Sequence, residues 1–242
     1  MTWTPMLPRA GARAVGLLLL ASAATALSLP AAAQDVDPWE KFNRRVFAFN
    51  DWFDSRILRP VAKGYDRITP DPVQRRVGNV FDNLYTPLSA TNQLLQGKPK
   101  RGLSELTRFV VNSTVGLAGI FDVAGGSGLP AQQEDFGQTF AVWSGGQGRF
   151  LVIPFRGPAT TTHALGMVVN GFLSPLRLIH PVEARIAVGA VEVVDSRAGL
   201  LPSERLISGD RYLFIRDAYL QSREFEINDG EVEEDPFLDE EF

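Results

Sequence analysis

The sequence predicts a mainly α-helical fold, on three observations. Apolar residues recur at spacings of three and four along most of the chain, the period of a helix with one apolar face. Strand-like alternation of apolar and polar residues is scarce. One stretch breaks the helical pattern: from Phe136 to Phe155 the chain is rich in aromatics and glycine and reads as a hairpin-like excursion. No internal repeat is present.

The first 33 residues read as an address. Arg9 and Arg13 precede an apolar run from Ala14 to Leu29, Pro30 breaks it, and Ala31-Ala32-Ala33 offers a cleavage site. This is the pattern of a secretory signal peptide, and the run is shorter than the roughly 20 residues a membrane span needs. No later stretch is apolar for long enough to span; the longest candidate, Phe109 to Ala124, is broken by Asn112, Ser113, Thr114 and Asp122.

The first helix is the clearest element. Asp37 suits an N-cap, Pro38 the first helical position, and Glu40 the third, a variant of the capping box. Trp39, Phe42, Val46, Phe49, Phe53 and Ile57 then share one stripe, with Lys41, Arg44, Arg45, Asp51 and Arg56 off it, and Pro60 limits the helix. The stripe has two readings. It packs on a core, or it lies in a membrane interface with aromatics among acyl chains and basic residues at headgroups. Trp39 and Trp52, with Arg44 and Arg45 nearby, favour the second.

A second helix is expected from Pro72 to about Tyr85, with Val73, Val77, Val80, Phe81 and Leu84 as its apolar face. Thr86-Pro87 reads as the cap and first residue of a short third helix that Gly97 ends. A fourth carries Leu103, Leu106, Phe109, Val110 and Ser113. Gly125 to Pro130 is a loop. Phe136, Phe140 and Trp143 fit one helix face, and Phe150 to Phe155 an extended run ended by Arg156-Gly157-Pro158. Helices follow over Thr160–Asn170 and Pro181–Ala198, and a last one opens at Asp210.

Charge is unevenly spread. Residues 223–242 hold ten acidic residues and one basic one, whereas residues 34–222 hold 21 basic and 18 acidic. The boundaries expected are a signal peptide over 1–33, a helical domain over 34–225 and an acidic tail over 226–242, either solvated or an interaction arm. Export and overall acidity disfavour nucleic acid.

Catalytic patterns are thin. The chain has no cysteine, so thiol nucleophiles, disulfides and cysteine metal sites are excluded. His163 and His180 stand in no H-E-x-x-H pattern, Ser127 misses G-x-S-x-G because residue 129 is leucine, and no phosphate-binding glycine motif exists. No catalytic residue, metal or cofactor is expected, and the chain reads as a non-enzyme.

Ordered pieces of the sequence resemble the MlaA (VacJ) outer-membrane lipoprotein family. They run from Asp37-Pro38-Trp39-Glu40-Lys41-Phe42-Asn43-Arg44 through Leu58-Arg59-Pro60-Val61-Ala62, Asn83-Leu84, Leu95-Gln96-Gly97, Asn112-Ser113-Thr114 and Asp135-Phe136-Gly137-Gln138-Thr139 to Pro154-Phe155-Arg156-Gly157-Pro158 and Arg216-Asp217-Ala218-Tyr219. The resemblance implies a helical disc in the periplasmic leaflet of the outer membrane, with a passive polar channel. It implies removal of stray phospholipid from the outer leaflet, work beside trimeric porins, and delivery to a soluble MlaC-like carrier. The alternative is an envelope adaptor that binds porins without moving lipid. Trp39, Phe42, Phe49, Trp52 and Phe53 are the candidate membrane-interface residues. Phe136, Phe140, Trp143 and Phe150 are candidates for a movable wall near the channel. Two departures stand out. The family's lipid-bearing cysteine is replaced by Ala33-Gln34, and its frequent Arg-Asp pair by Thr162-His163. Apolar contact can stand in for the lipid: burying about 400 Å² contributes roughly 10 kcal/mol at ~25 cal/mol/Å², against on the order of 11 kcal/mol for one acyl chain.

Overall fold

The computed structural model describes residues 36–231, so the expected leader and the tail beyond residue 231 lie outside the described residues. The described chain is mainly α. Helix α1 (Glu40–Phe53) passes through a widened turn (Asp54–Leu58) into α2 (Arg59–Ile68). Then come α3 (Asp71–Leu95), α4 (Pro99–Thr114), a single turn α5 (Val123–Gly126) and α6 (Phe136–Ser144). Strands β1 (Phe150–Ile153) and β2 (Gly157–Thr160) pair antiparallel, and α7 (Thr161–Leu173), α8 (Val182–Gly199) and α9 (Arg211–Ile227) complete the chain.

The start of α1 differs from its expected cap. Trp39 occupies the N-cap position without a side-chain cap. The carboxylate of Asp37 is buried instead, accepting from Asn43 Nδ2 at 2.8 Å and from the hydroxyl of Tyr212. A tertiary tie to α9 thus displaces the local capping box.

Two prolines expected to break helices do not. At Pro60 the chain widens by one residue: the Arg59 amide donates to the Asp54 carbonyl five residues back, and this π-turn seats a residue that has no N–H to give. The guanidinium of Arg197 holds the turn in place, donating to both Asp54 oxygens at 2.7 and 2.8 Å. At Pro87 a single helix of 25 residues continues where a cap was expected. Asn83, Thr86, Ala90 and Gln93, spaced by three and four across the proline, are all buried. One face of both halves is held by packing, which outweighs a local preference.

Between Phe136 and Phe155 the hairpin is shorter than the excursion read from sequence. Phe136–Ser144 is a helix, capped by Asp135 on the Gln138 amide and stopped at Gly145 with φ 73°. It crosses α7 at glycines: a Cβ on Gly166 would stand 2.1 Å from the Gly137 nitrogen. The hairpin begins at Phe150, with Phe150 opposite Thr160 and Ile153 opposite Gly157.

Two amides of α1 satisfy the free edge of β1. Asn43 Oδ1 accepts from the Val152 amide at 2.9 Å. Asn50 Oδ1 accepts from the Phe155 amide at 2.8 Å, and Asn50 Nδ2 donates to the Ile153 carbonyl at 2.9 Å. Seven residues of helix rise about 10.5 Å and three of strand about 10 Å, so one helix face meets successive groups of the strand edge. Phe150, Val152 and Tyr212 form the small apolar core, with Val46, Phe47, Leu213, Tyr219 and Leu220 around it. Asn50→Ala is expected to cost about 2 kcal/mol by leaving two backbone groups unpaired. Hydrogen exchange should quicken over residues 150–157 while α3 and α4 keep their protection.

Candidate functional site

The burial pattern inverts that of a water-soluble core. Sixteen polar or charged residues are buried among the described residues, against ten hydrophobic ones, of which six are alanine. Meanwhile large side chains lie open: Leu103 65%, Val110 58%, Phe172 68%, Ile186 66% and Leu206 70% exposed. Buried polar groups and broad apolar exposure are the informative departures from ordinary globular surfaces.

The interior is built by stripes on α3 and α4. On α4, Gly102, Glu105, Arg108 and Asn112 recur at spacings of three, three and four and are all buried. Its apolar residues Leu103, Leu106 and Val110 face out. On α3, Asn83, Thr86, Ser89, Asn92 and Gln93 turn inward. The segment between α5 and α6 threads along both. Glu105 accepts from the Gln132 amide at 2.8 Å, while Ser89 and Gln93 donate to the Gln132 carbonyl at 3.1 and 3.0 Å. Gln96 donates to Glu134 at 2.7 Å, and Thr139 to Asn92 at 2.7 Å.

Arg108 is the centre of this network. It donates to the Leu129 carbonyl and to Asp122 Oδ1 at 3.1 Å, and its Nε lies 3.8 Å from Glu105. Asn112 bridges Asp122 at 2.9 Å and the Ala124 amide at 2.9 Å. A cavity of about 70 Å³ opens beside them, lined by Asn79, Asn83, Thr86, Glu105 and Arg108 among others. Asn83 Oδ1 is buried there without a hydrogen-bond partner, and a polar space of this size can hold water.

Charges respond to this setting. Burial pushes the Glu105 carboxyl up from its ordinary 4.5, opposed by the Gln132 amide and Arg108. Burial also acts on Asp122, but the Gly125 amide, Asn112 and Arg108 together hold it below its ordinary value. A carboxyl whose folded value is raised favours the fold below its unfolded pKa, and that share is lost as pH rises through the folded value. Glu105→Gln keeps an acceptor for the Gln132 amide. It should leave stability at neutral pH within about 1 kcal/mol and flatten its decline above pH 4.5, read by melting across pH.

The aromatic candidates on α1 face outward. Trp39, Phe42, Phe49 and Trp52 are exposed, and Phe53 is half-buried. The fold gathers part of the set: Phe49 stacks near Trp52 at 6.4 Å, and the ring of Phe155 stands edge-on to Phe49 at 5.1 Å and Phe53 at 5.2 Å. Trp39 lies apart, under Arg149 at 5.9 Å.

The family model of the MlaA lipoprotein matches residues 35–226. The chain belongs to the MlaA lipoprotein family. An uncharacterized protein of Rickettsia felis is 39% identical over 192 residues, covering 78% of this chain and 76% of its own. The intermembrane phospholipid transport system lipoprotein MlaA of Escherichia coli is 34% identical over 203 residues, covering 81% of this chain and 80% of its own. A solved chain bearing on the structural basis for maintenance of bacterial outer membrane lipid asymmetry superposes with a TM-score of 0.69 at 33% identity. It covers 79% of this chain and 99% of that one.

Within this MlaA fold the second aromatic group is divided. Phe136, Phe140 and Trp143 line one side of α6, with ring centroids 6.1 and 5.9 Å apart. Phe136 is buried and Trp143 exposed. Phe150 belongs instead to the core around Tyr212, at 6.2 Å. The polar stripes of α3 and α4 were missed in the sequence reading. Their signal was present in the three-and-four spacing of Gly102, Glu105, Arg108 and Asn112, masked by the apolar stripe on the same helix.

Proposed function

We propose that this chain is a phospholipid-trafficking component of a bacterial outer membrane, seated in the periplasmic leaflet. It removes phospholipid from the outer leaflet and so maintains lipid asymmetry. The single observation that carries the reading is the inverted burial: an apolar exterior suited to acyl chains around an interior of buried polar groups. A headgroup crossing hydrocarbon unaided loses its hydrogen bonds at several kcal/mol per polar group. Protein groups that substitute for water lower that barrier without any energy source.

No helix of the described residues is long and apolar enough to cross a membrane. The reading therefore places the helices along the leaflet, with Trp39, Phe42, Phe49, Trp52 and Phe53 at the interface and the aromatic side of α6 as a movable wall. A soluble MlaC-like carrier takes the lipid onward, and a trimeric porin is the neighbour. The leader over 1–33 delivers the chain; the tail expected from 226 begins instead inside α9, where Arg223 donates to Glu226 at 2.7 Å, and Lys98 donates to Asp229 at 2.6 Å. Hydrolysis fits less well. The Ser127 hydroxyl donates to the Val123 carbonyl at 2.8 Å, and the His163 ring is engaged with the Tyr219 hydroxyl, so each is held in a local bond.

The deciding measurement is outer-leaflet phospholipid in a deletion strain, using a probe that cannot enter the cell. Accumulation reversed by the restored gene supports retrieval. Unchanged asymmetry with no parallel retrieval system active sinks it and leaves the adaptor role.

A further inference from the structure

Among the described residues, the side-chain donors that line the cavity beside Arg108 are all turned to protein acceptors. Arg108 donates to the Leu129 carbonyl and to Asp122, Asn112 donates to Asp122, and Gln133 Nε2 donates to Asp82 Oδ1 at 2.8 Å. The Thr86 hydroxyl donates to the Asp82 carbonyl at 2.8 Å. Asn79 and Asn83, one turn apart on α3, use their Nδ2 atoms on the chain at the end of α4 and beyond it. Asn79 donates to the Ile120 carbonyl at 3.3 Å and Asn83 to the Ser113 hydroxyl at 3.0 Å. At Gly119, φ 88°, that chain lies so close that a Cβ would stand 2.4 Å from the Asn83 Cβ, which holds the amide in place.

Acceptors are left over. Asn83 is 7% exposed, and its Oδ1 has no hydrogen-bond partner. Asp82 Oδ2 and Asn79 Oδ1 have none either among the described residues. Asp82, Glu105 and Asp122 share the lining with one guanidinium. The wall therefore suits a guest that is positive and brings its own donors. No group of three acidic or histidine side chains among the described residues is placed to hold a metal ion, which favours N–H donors over a bare cation. The mouth is amphiphilic. Val80, Ile120 and Phe121 are exposed beside it. Arg76 precedes Asn79 by one turn on the same face of α3. Its guanidinium lies 5.3 Å from the centre of the Phe121 ring, with no carboxylate within 4 Å among the described residues.

We infer that this cavity takes the primary ammonium of an ethanolamine-type glycerophospholipid, on Asn83 Oδ1 and the Asp82 carboxylate, with the phosphodiester at Arg76 outside the mouth. This rests on the transport reading and names its substrate class. A primary ammonium carries three donors and one charge. It pairs acceptors that the wall leaves unpaired, and a buried acceptor without a partner costs free energy. A choline headgroup has the charge but no N–H, and its methyl groups crowd a space of about 70 Å³. A glycerol headgroup has donors but no positive charge. The guanidinium laid on Phe121 offers parallel donors that match phosphate oxygens. Val80, Ile120 and Phe121 then meet the acyl chains, so that the guest is a lipid rather than a free amine.

The test titrates the full chain in neutral detergent micelles with dihexanoyl phosphatidylethanolamine and, separately, with dihexanoyl phosphatidylcholine. The readout is the ratio of the two affinities, followed through the side-chain amide resonances of Asn79 and Asn83. The ethanolamine lipid should bind roughly tenfold tighter, the effect of charge-assisted bonds that choline does not make. Asp82→Asn keeps an acceptor for Gln133 and should cut the ratio severalfold. Asn83→Ala should bring it near one. Arg76→Gln should weaken both lipids together. Free ethanolamine should compete with neither. Equal affinities overturn the inference, as do a ratio unmoved by Asp82→Asn and binding of neither lipid. Competition by free ethanolamine assigns the cavity to a free amine and overturns it too. The transport reading fails separately: deletion then leaves outer-leaflet phospholipid unaltered, whatever the titrations show. Asp82 is exposed and its variant should fold, which an unchanged melting profile verifies, so the test stands even where Asn83→Ala loses the fold.

Discussion

Replacing Phe42 and Trp52 with aspartate should release the chain from membranes during an alkaline wash that leaves the wild type bound. Phe42 is 59% and Trp52 54% exposed, while the same helix buries Asn43 and turns Val46 and Phe47 toward the core. The two substitutions therefore touch the outer surface and spare the fold. Each ring offers on the order of 100 Å² to lipid, about 2.5 kcal/mol at ~25 cal/mol/Å². A carboxylate held at the same depth adds up to roughly 3 kcal/mol. Together they should weaken binding to vesicles by about a thousandfold or more, at about 1.4 kcal/mol per tenfold. The control reverses charge on the same exposed face, beside the two rings. Lys41→Asp with Arg45→Asp changes the net charge twice as much, yet should weaken binding only about thirtyfold, near 1 kcal/mol for each basic residue at an anionic surface. If the basic pair matters more than the aromatic pair, attachment is electrostatic and the apolar exterior of α1 has another partner.

The asymmetry in that experiment also explains what could and could not be read from the residues alone. The stripe of Trp39, Phe42, Phe49 and Phe53 was plain from its spacing, as were α8 and α9, the latter opening on an Asp210 side chain that accepts from the Tyr212 amide at 2.9 Å. A periodic pattern defines two faces of a helix but not which of them is buried. That depends on the solvent, and in lipid the polar face goes inward. So the spacing of Leu103, Leu106 and Val110 marked one face of α4 without telling that this face is the exposed one and that Glu105, Arg108 and Asn112 are buried. The hairpin edge posed a different difficulty. Asn43 and Asn50 satisfy backbone groups more than 100 residues away, and no local rule ties an asparagine on one helix to a distant strand. Pro60 and Pro87 misled for the converse reason. Local chemistry argued for breaks, while a π-turn at the first and a continuous buried stripe at the second kept the helices whole.

If the interior is closed and paired, Arg108→Met should be among the most damaging single substitutions, lowering stability by about 3–5 kcal/mol. Arg108 is 6% exposed. Its loss leaves Glu105 without a cation, removes a donor from the Leu129 carbonyl, and takes one of the groups holding Asp122 ionised. Methionine fills much of the space, so the penalty reflects uncompensated polarity more than a void. Adding Glu105→Met should return about 1–3 kcal/mol of the loss, because two apolar side chains then replace two charged ones. The Gln132 amide, deprived of its acceptor at 2.8 Å, keeps the recovery incomplete. Thermal melting of the four species in one detergent closes the cycle. A different outcome carries a different physics. Should Arg108→Met melt with the wild type, water already solvates Glu105 and Asp122 through the cavity beside Asn83. The stripes of α3 and α4 would then be a wet passage rather than a sealed frame, and the barrier to a headgroup would lie at the hairpin tip.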